Sequence, residues 1–386
     1  MQVVNKKMCV VVILMLVIIE NCTLFLMYKS YNNKNTKLDE VNLNKEINNN
    51  MFAIMLEQED GTYKESSDSI WSTSGYTYNE TMSGCIDING NKLDGVLSYD
   101  ATNNIATVDT GNTSYCYLCF NKVNAGKYLL KNSSKGLVTT SLQGNLYRYQ
   151  GIQGEVDNYI CFGYSNYETD CDFSNTTNSD LYAYRIIGVN EDYQIKIIKK
   201  EALNNQIKRG SGTGLRTTDY PDSGIYNEIN GNSFLNNNLY ITEDWRNKIA
   251  TSKWKYGYTT DNGNYDGQTM YAIENEFTDS VNAKIGLIYM HDYYFAYLGG
   301  KPENYTNAAT SWIHIKNNDI SETEIYDSTM IQYMTNTWLS WVILLDGQAS
   351  QKGYNLLLTV RPVFYLETNL SIIQGTGTIV DPFIIK

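Results

Sequence analysis

The chain of 386 residues contains only two His and four Pro, and charged residues make up just 19% of it. Two His leave little room for a His-rich metal centre. Basic residues are the scarcer sign, 30 against 42 acids, for a net charge of −12. Such a chain has no basic stripe with which to follow a phosphate backbone, which excludes nucleic acid as a partner. No Cys follows Cys171, and neither Ala nor Gly occurs before Ala53. The apolar fraction of 42% is too high for a disordered chain. What is abundant is Tyr, 33 residues, with 10 Phe and 6 Trp. Tyr and Asn with little Lys or Glu read as a β-rich protein with a polar surface.

Residues 8–27, MCVVVILMLVIIENCTLFLM, make an apolar run that as a helix is about one bilayer thick. Only Glu20, Asn21 and Thr23 interrupt it. With no small residues to form a cleavage site, the run reads as an uncleaved signal anchor that leaves the C-terminal bulk outside the cytoplasm. Residues 28–51 are polar and lack a core, which predicts a stalk of coil or loose helix.

From 52 to 123, short alternating runs are separated by Asp-Gly, Ser-Gly and Asn-Gly turns, and no helical period competes. This predicts a small all-β module. It carries ten acids against three Lys, so much of the negative charge sits here as solvated surface. In its last strand, Cys116 and Leu118 share one face, and Tyr117 and Cys119 the other. A linker is expected over 124–144, and a larger mixed domain over 145–386. In that domain Thr242 is expected to cap a short helix, and residues 291–297 to form another. Strands are expected at 283–289, 338–345 and 356–360, the last two around a hairpin.

Five of the seven Cys lie beyond the apolar run. Outside the cytoplasm they can oxidise. Cys85 with Cys116 would close the small module, and Cys161 with Cys171 would staple a short loop. Cys116-x-x-Cys119 has the spacing of a redox or zinc pair, but it lies in a strand, where such pairs do not belong.

Four stretches stand in a recognisable order: Arg148-Tyr-Gln-Gly151 with Asp157-Asn-Tyr-Ile-Cys-Phe-Gly163, then Leu181–Val189, then Ala283–Tyr293, then Val360–Leu366 with Gly375–Ile385. Trp338-Leu339 precedes the terminal Val360-Arg361-Pro362. In this order the chain resembles a family of surface-anchored proteins of low-GC Gram-positive gut bacteria, over most of residues 52–386. Their C-terminal domain is similar to the formylglycine-generating-enzyme and C-type-lectin-like group. The resemblance implies an α+β, predominantly β protein: N-terminal transmembrane helix, small all-β module, larger lectin-like domain. Oxidase members of that group depend on a Cys pair late in the fold, which this chain lacks. Many relatives carry a pilin-type helix, but the Gly-Phe processing pattern is absent here.

The remaining candidates are few. His291 and His314 read as surface or helix-start residues rather than catalytic ones. Asn262, Asn264 and Asp266, with Gly267 following, place oxygen ligands as a calcium loop does, although the closing acid, Glu274, arrives one residue late. The dense aromatics Tyr293, Tyr294, Tyr297 and Trp312 offer contact area and hydrogen-bonding tips for a ligand. The function this supports is a membrane-anchored surface protein that binds a glycan or another surface protein without turnover. A pilin-like filament subunit and a surface hydrolase are the alternatives.

Overall fold

The computed structural model describes residues 38–42, 52–58, 61–66, 75–87, 89–101, 103–109, 115–132, 135–140, 146–203, 205–210, 220–259, 266–297, 311–314, 327–333, 339–344, 349–353 and 357–386. The expected anchor at 8–27 lies outside them. Among the described residues no helix is long and apolar enough to cross a membrane. The chain divides into two compact units, Met1–Lys122 and Val123–Lys386.

The described elements of the first unit are all strands. They are β1 (Leu38–Asn42), β2 (Phe52–Glu57), β3 (Tyr63–Glu65), β4 (Tyr76–Tyr78), β5 (Gly84–Ile86), β6 (Lys92–Leu93), β7 (Leu97–Asp100), β8 (Ile105–Asp109) and β9 (Tyr115–Lys122). One sheet runs β3-β2-β9-β5-β6, with β4 also on β9, and a second runs β1-β8-β7. Phe52 and Ile54 of the first sheet share a core with Ala106 and Val108 of the second. Alternation explains this: residues two apart on a strand face the same way. Cys116, Leu118 and Phe120 therefore enter that core, while Tyr115 packs with Ala53 and Ile86 on the opposite face. The expected stalk needs one correction. Its residues Leu38–Asn42 form an edge strand, antiparallel to β8 over its whole length. Backbone pairing is what ranks them as a strand, since two of the five are acids and the apolar positions do not alternate.

The second unit begins earlier than expected. The segment read as a linker holds α1 (Ala125–Asn132) and β10 (Leu137–Thr140), which pairs with β11 (Leu146–Tyr149). The sheet continues through β12 (Tyr159–Cys161), β13 (Ala183–Val189) and β14 (Ile195–Lys199). β13 is its centre, with β11 and β12 in succession along one edge and β14 along the other. A hairpin around Asn190-Glu191-Asp192 joins β13 to β14. The helices after α1 are short: α2 (Tyr167–Asp170), α3 (Thr176–Tyr182), α4 (Gly224–Ile229), α5 (Glu243–Asn247), α6 (Gly267–Asn275) and α7 (Met290–Phe295). α5 and α7 are the two expected from the sequence, and Thr242 and Tyr289 are their N-cap residues.

The remaining strands are β15 (Ile207–Lys208), β16 (Ser252–Lys255), β17 (Gly257–Thr259), β18 (Ser280–Ala283), β19 (Asp327–Tyr333), β20 (Leu339–Ile343), β21 (Ala349–Gly353), β22 (Leu357–Leu358), β23 (Val363–Tyr365), β24 (Ile372–Gln374) and β25 (Phe383–Ile385). β23 joins the central sheet beside β14, and β25 runs parallel to β12. The expected hairpin of 338–345 with 356–360 is replaced by another pairing. β20 pairs with β21, and β22 instead meets β15. The expected strand at 283–289 is reduced to single bridges at Gly286 and Ile288. β11, β12, β13, β23 and β25 all belong to one sheet, so the stretches around Arg148, Asp157, Leu181, Val360 and Gly375 meet there. The protein is β-rich with few helices.

Candidate functional site

Both expected disulfides form. Cys85 and Cys116 are directly opposite one another on β5 and β9, and they bond across the strands. Cys161 of β12 bonds to Cys171, the C-cap of α2. Cys119 is a buried thiol outside both disulfides, and its Sγ donates to the Met82 carbonyl.

The aromatic candidates do not line a surface. Tyr293, Tyr294, Tyr297 and Trp312 are 0%, 2%, 3% and 2% exposed, and all four belong to the main hydrophobic core. The reason is topological: α7 is buried on every side, so its aromatic residues fill volume instead of facing a ligand. Of the calcium-loop candidates, Asn262 and Asn264 lie outside the described residues. Asp266 is the N-cap of α6 and accepts from Thr269 N at 2.7 Å. Among the described residues no three acid, His or Cys side chains converge as metal ligands.

Glu274, the acid that arrived late for a calcium loop, has a different place. Its side chain leaves α6 and accepts from the backbone N–H groups of Met290 at 2.9 Å and His291 at 3.1 Å. It thereby caps α7, whose own N-cap Tyr289 makes no side-chain cap bond. Glu274 also accepts from His291 Nδ1. His291 Nε2 lies 3.3 Å from Asp292, which is paired with Lys196 of β14 and, at 3.3 Å, with Arg148 of β11. All five side chains are buried. Gly188 of β13 permits the crossing: a Cβ there would lie 2.8 Å from an Arg148 guanidinium nitrogen. Lys196 sits among the rings of Trp254, Tyr289 and Tyr365 at 5.6, 4.7 and 5.4 Å.

Electrostatics fix the charges of this cluster. Burial alone pushes His291 down, but the carboxylates of Asp292 and Glu274 outweigh it and hold the imidazole above its ordinary value. Burial would raise Asp292, yet Lys196, His291 and Arg148 hold it well below the usual carboxylate range. Each acid is engaged by cations, and Glu274 by backbone donors as well. The arrangement clamps α7 to the sheet, and its chemistry is that of an internal ion network. His291 is a helix-start residue, as the sequence suggests, but it is interior and not surface.

A second polar group stands apart. Arg185 of β13 is 3% exposed. Its Nε donates to Asn158 at 2.5 Å, and its Nη1 to Gln153 at 3.1 Å. Nη2 makes no hydrogen bond, and no carboxylate pairs with this guanidinium among the described residues. Its Cζ lies 3.9 Å from the ring centroid of Tyr159 and 5.1 Å from that of Trp312. No sequence signal marked this group, because it is assembled from β12, β13 and two separate loops. Comparisons with protein-family models, curated proteins and solved structures give no match.

Proposed function

We propose that this chain is a membrane-anchored, extracytoplasmic surface protein whose larger unit recognises a ligand, a glycan or another surface protein, without chemical turnover. The apolar run at 8–27 is its anchor in this reading. The observation that carries the proposal is the disulfide in each unit, both joining buried cysteines. Structural disulfides persist in oxidising compartments and are rare in the cytosol. Recognition, in place of hydrolysis, fits the buried chemistry: Glu274 and Asp292 are tied into ion pairs, while Arg185 carries a charge that no acid meets among the described residues. The larger unit acts as the recognition module, in keeping with the order of segments it shares with lectin-like surface proteins.

Two measurements on the full-length chain test this. On intact cells that produce it, a membrane-impermeant amine reagent is expected to label lysines beyond residue 52, with the chain resisting alkaline extraction from membranes. Protection from the reagent, or release into the soluble fraction, overturns the localisation. On glycan and matrix-protein arrays, saturable binding without product is expected, and no binding to either array overturns recognition.

A further inference from the structure

We propose that Arg185 and Gln153 form a gated carboxylate-binding subsite, in which a ligand carboxylate displaces the Gln153 amide and takes both Nη atoms of Arg185. This deepens the recognition reading and rests on it. The guanidinium is a planar fork suited to donating two parallel bonds to one carboxylate. Here the fork is half used. Nη1 meets the neutral amide oxygen of Gln153, and Nη2 meets nothing among the described residues. A buried donor without an acceptor is costly, and a buried charge without a counter-charge more so. An anion relieves both costs, whereas a neutral acceptor relieves only the first.

The surroundings are those of a built site. The rings of Tyr159 and Trp312 and the Asn158 amide, itself buried and donating to the Ile186 carbonyl at 2.8 Å, fix the guanidinium in place. Burial pushes Arg185 down to about 10, with the Tyr159 hydroxyl acting against it and the like charge of Arg361 with it, which leaves it cationic at neutral pH. Gln153, by contrast, is exposed, in a short turn whose Gly151 and Gly154 both have positive φ. Beyond Arg185 its side chain holds only the Tyr159 hydroxyl, at 3.2 Å. Swinging it outward breaks two hydrogen bonds of a solvent-facing amide, which water replaces at little cost. The glutamine thus occupies the place of a ligand oxygen without supplying its charge.

The test is thermal unfolding of the full-length chain in detergent, titrated with sodium glucuronate, sodium acetate, sodium chloride and glucose at constant ionic strength. Glucuronate is expected to raise the midpoint saturably, by about 2–4 °C, with chloride and glucose inert. Acetate matching it assigns the site to the carboxylate alone; a shift with glucuronate only assigns it to an acidic sugar. Arg185→Lys keeps the charge, loses the fork and is expected to abolish the response. Gln153→Glu supplies the carboxylate from the chain itself. It is expected to raise the midpoint without ligand and to eliminate the glucuronate response. Equal shifts with chloride, an undiminished response in Arg185→Lys, or a Gln153→Glu midpoint no higher than wild type would each overturn the proposal. Because the protein is purified, an error about its cellular location leaves this result unaffected.

Discussion

Glu274 caps a helix to which it does not belong: its carboxylate receives the backbone N–H of His291 at 3.1 Å as well as the His291 ring. One acid therefore satisfies two orphan donors at the start of α7 and neutralises the imidazolium beside them. Replacing it separates these roles. Glu274→Ala leaves the N–H groups unmet and the buried imidazolium with Asp292 as its remaining acid, and is expected to destabilise the larger unit by about 3–5 kcal/mol. Glu274→Gln keeps an acceptor but not the charge, and is expected to cost about 1–3 kcal/mol. Urea denaturation of the three proteins measures the order. Equal losses for Ala and Gln would show that the charge, not the cap, matters.

The same cluster sets a pH window. His291 is raised above its ordinary 6.5, so its contribution is fully present below that value and is lost as pH rises through the folded-state value. Asp292 is lowered from 3.8, so its contribution is present above that value and is lost as pH falls through the folded-state value. Stability is expected to be greatest between about 4 and 6.5. On the alkaline side the urea midpoint of wild type should fall, while that of His291→Gln should stay flat. A wild-type midpoint that rises with pH above 6.5 would contradict the assigned charge of His291.

How much of this was legible in the sequence depends on the range of the interaction. The period of two in β9 placed Cys116 and Leu118 on one face, and the Asn-Gly turn placed β5–β6 as a hairpin, because these signals are local. The bridges Cys85–Cys116 and Cys161–Cys171 were legible because each joins segments close in sequence. Leu38–Asn42 was not, since its pairing with β8 spans more than sixty residues and its own composition is polar. The aromatic cluster of α7 was visible as composition, but burial is decided by what packs around it. Glu274 was noticed only as a failed calcium ligand, because its partners lie sixteen and seventeen residues away. Arg185 stood in one of the stretches that carried the resemblance, yet its surroundings of Asn158, Gln153, Tyr159 and Trp312 are a property of the assembled site.

The two disulfides give a chemical prediction. After denaturation and alkylation without reductant, peptide mapping is expected to find Cys119 alone modified among the five cysteines beyond residue 52. Reduction should lower the stability of both units. By loop-closure entropy, loss of Cys85–Cys116, 31 residues apart, is expected to cost about 3–4 kcal/mol, and that of Cys161–Cys171, 10 apart, about 2–3 kcal/mol. Free Cys85 or Cys161 in protein taken from its native membrane would remove the main support for an extracytoplasmic location.

A last prediction concerns the aromatic packing behind the ion cluster. Trp254 is fully buried, stacks on Tyr289 at 6.1 Å between centroids and donates from its indole to the Ala283 carbonyl at 3.0 Å. Its ring lies directly on Gly286, where an added Cβ would come within 2.3 Å. Gly286 cannot retreat, because it exchanges both backbone hydrogen bonds with Val363 of the central sheet, at 2.8 and 3.0 Å. Gly286→Ala must therefore displace the indole, and with it one of the rings around Lys196. The expected cost is about 1–3 kcal/mol from overpacking, with a change in near-ultraviolet circular dichroism as Trp254 reorients. Trp254→Phe in the Gly286→Ala background should recover part of that loss, since the smaller ring vacates the contested space. If the double variant is no more stable than Gly286→Ala alone, the clash with Trp254 is not what makes glycine necessary at this position.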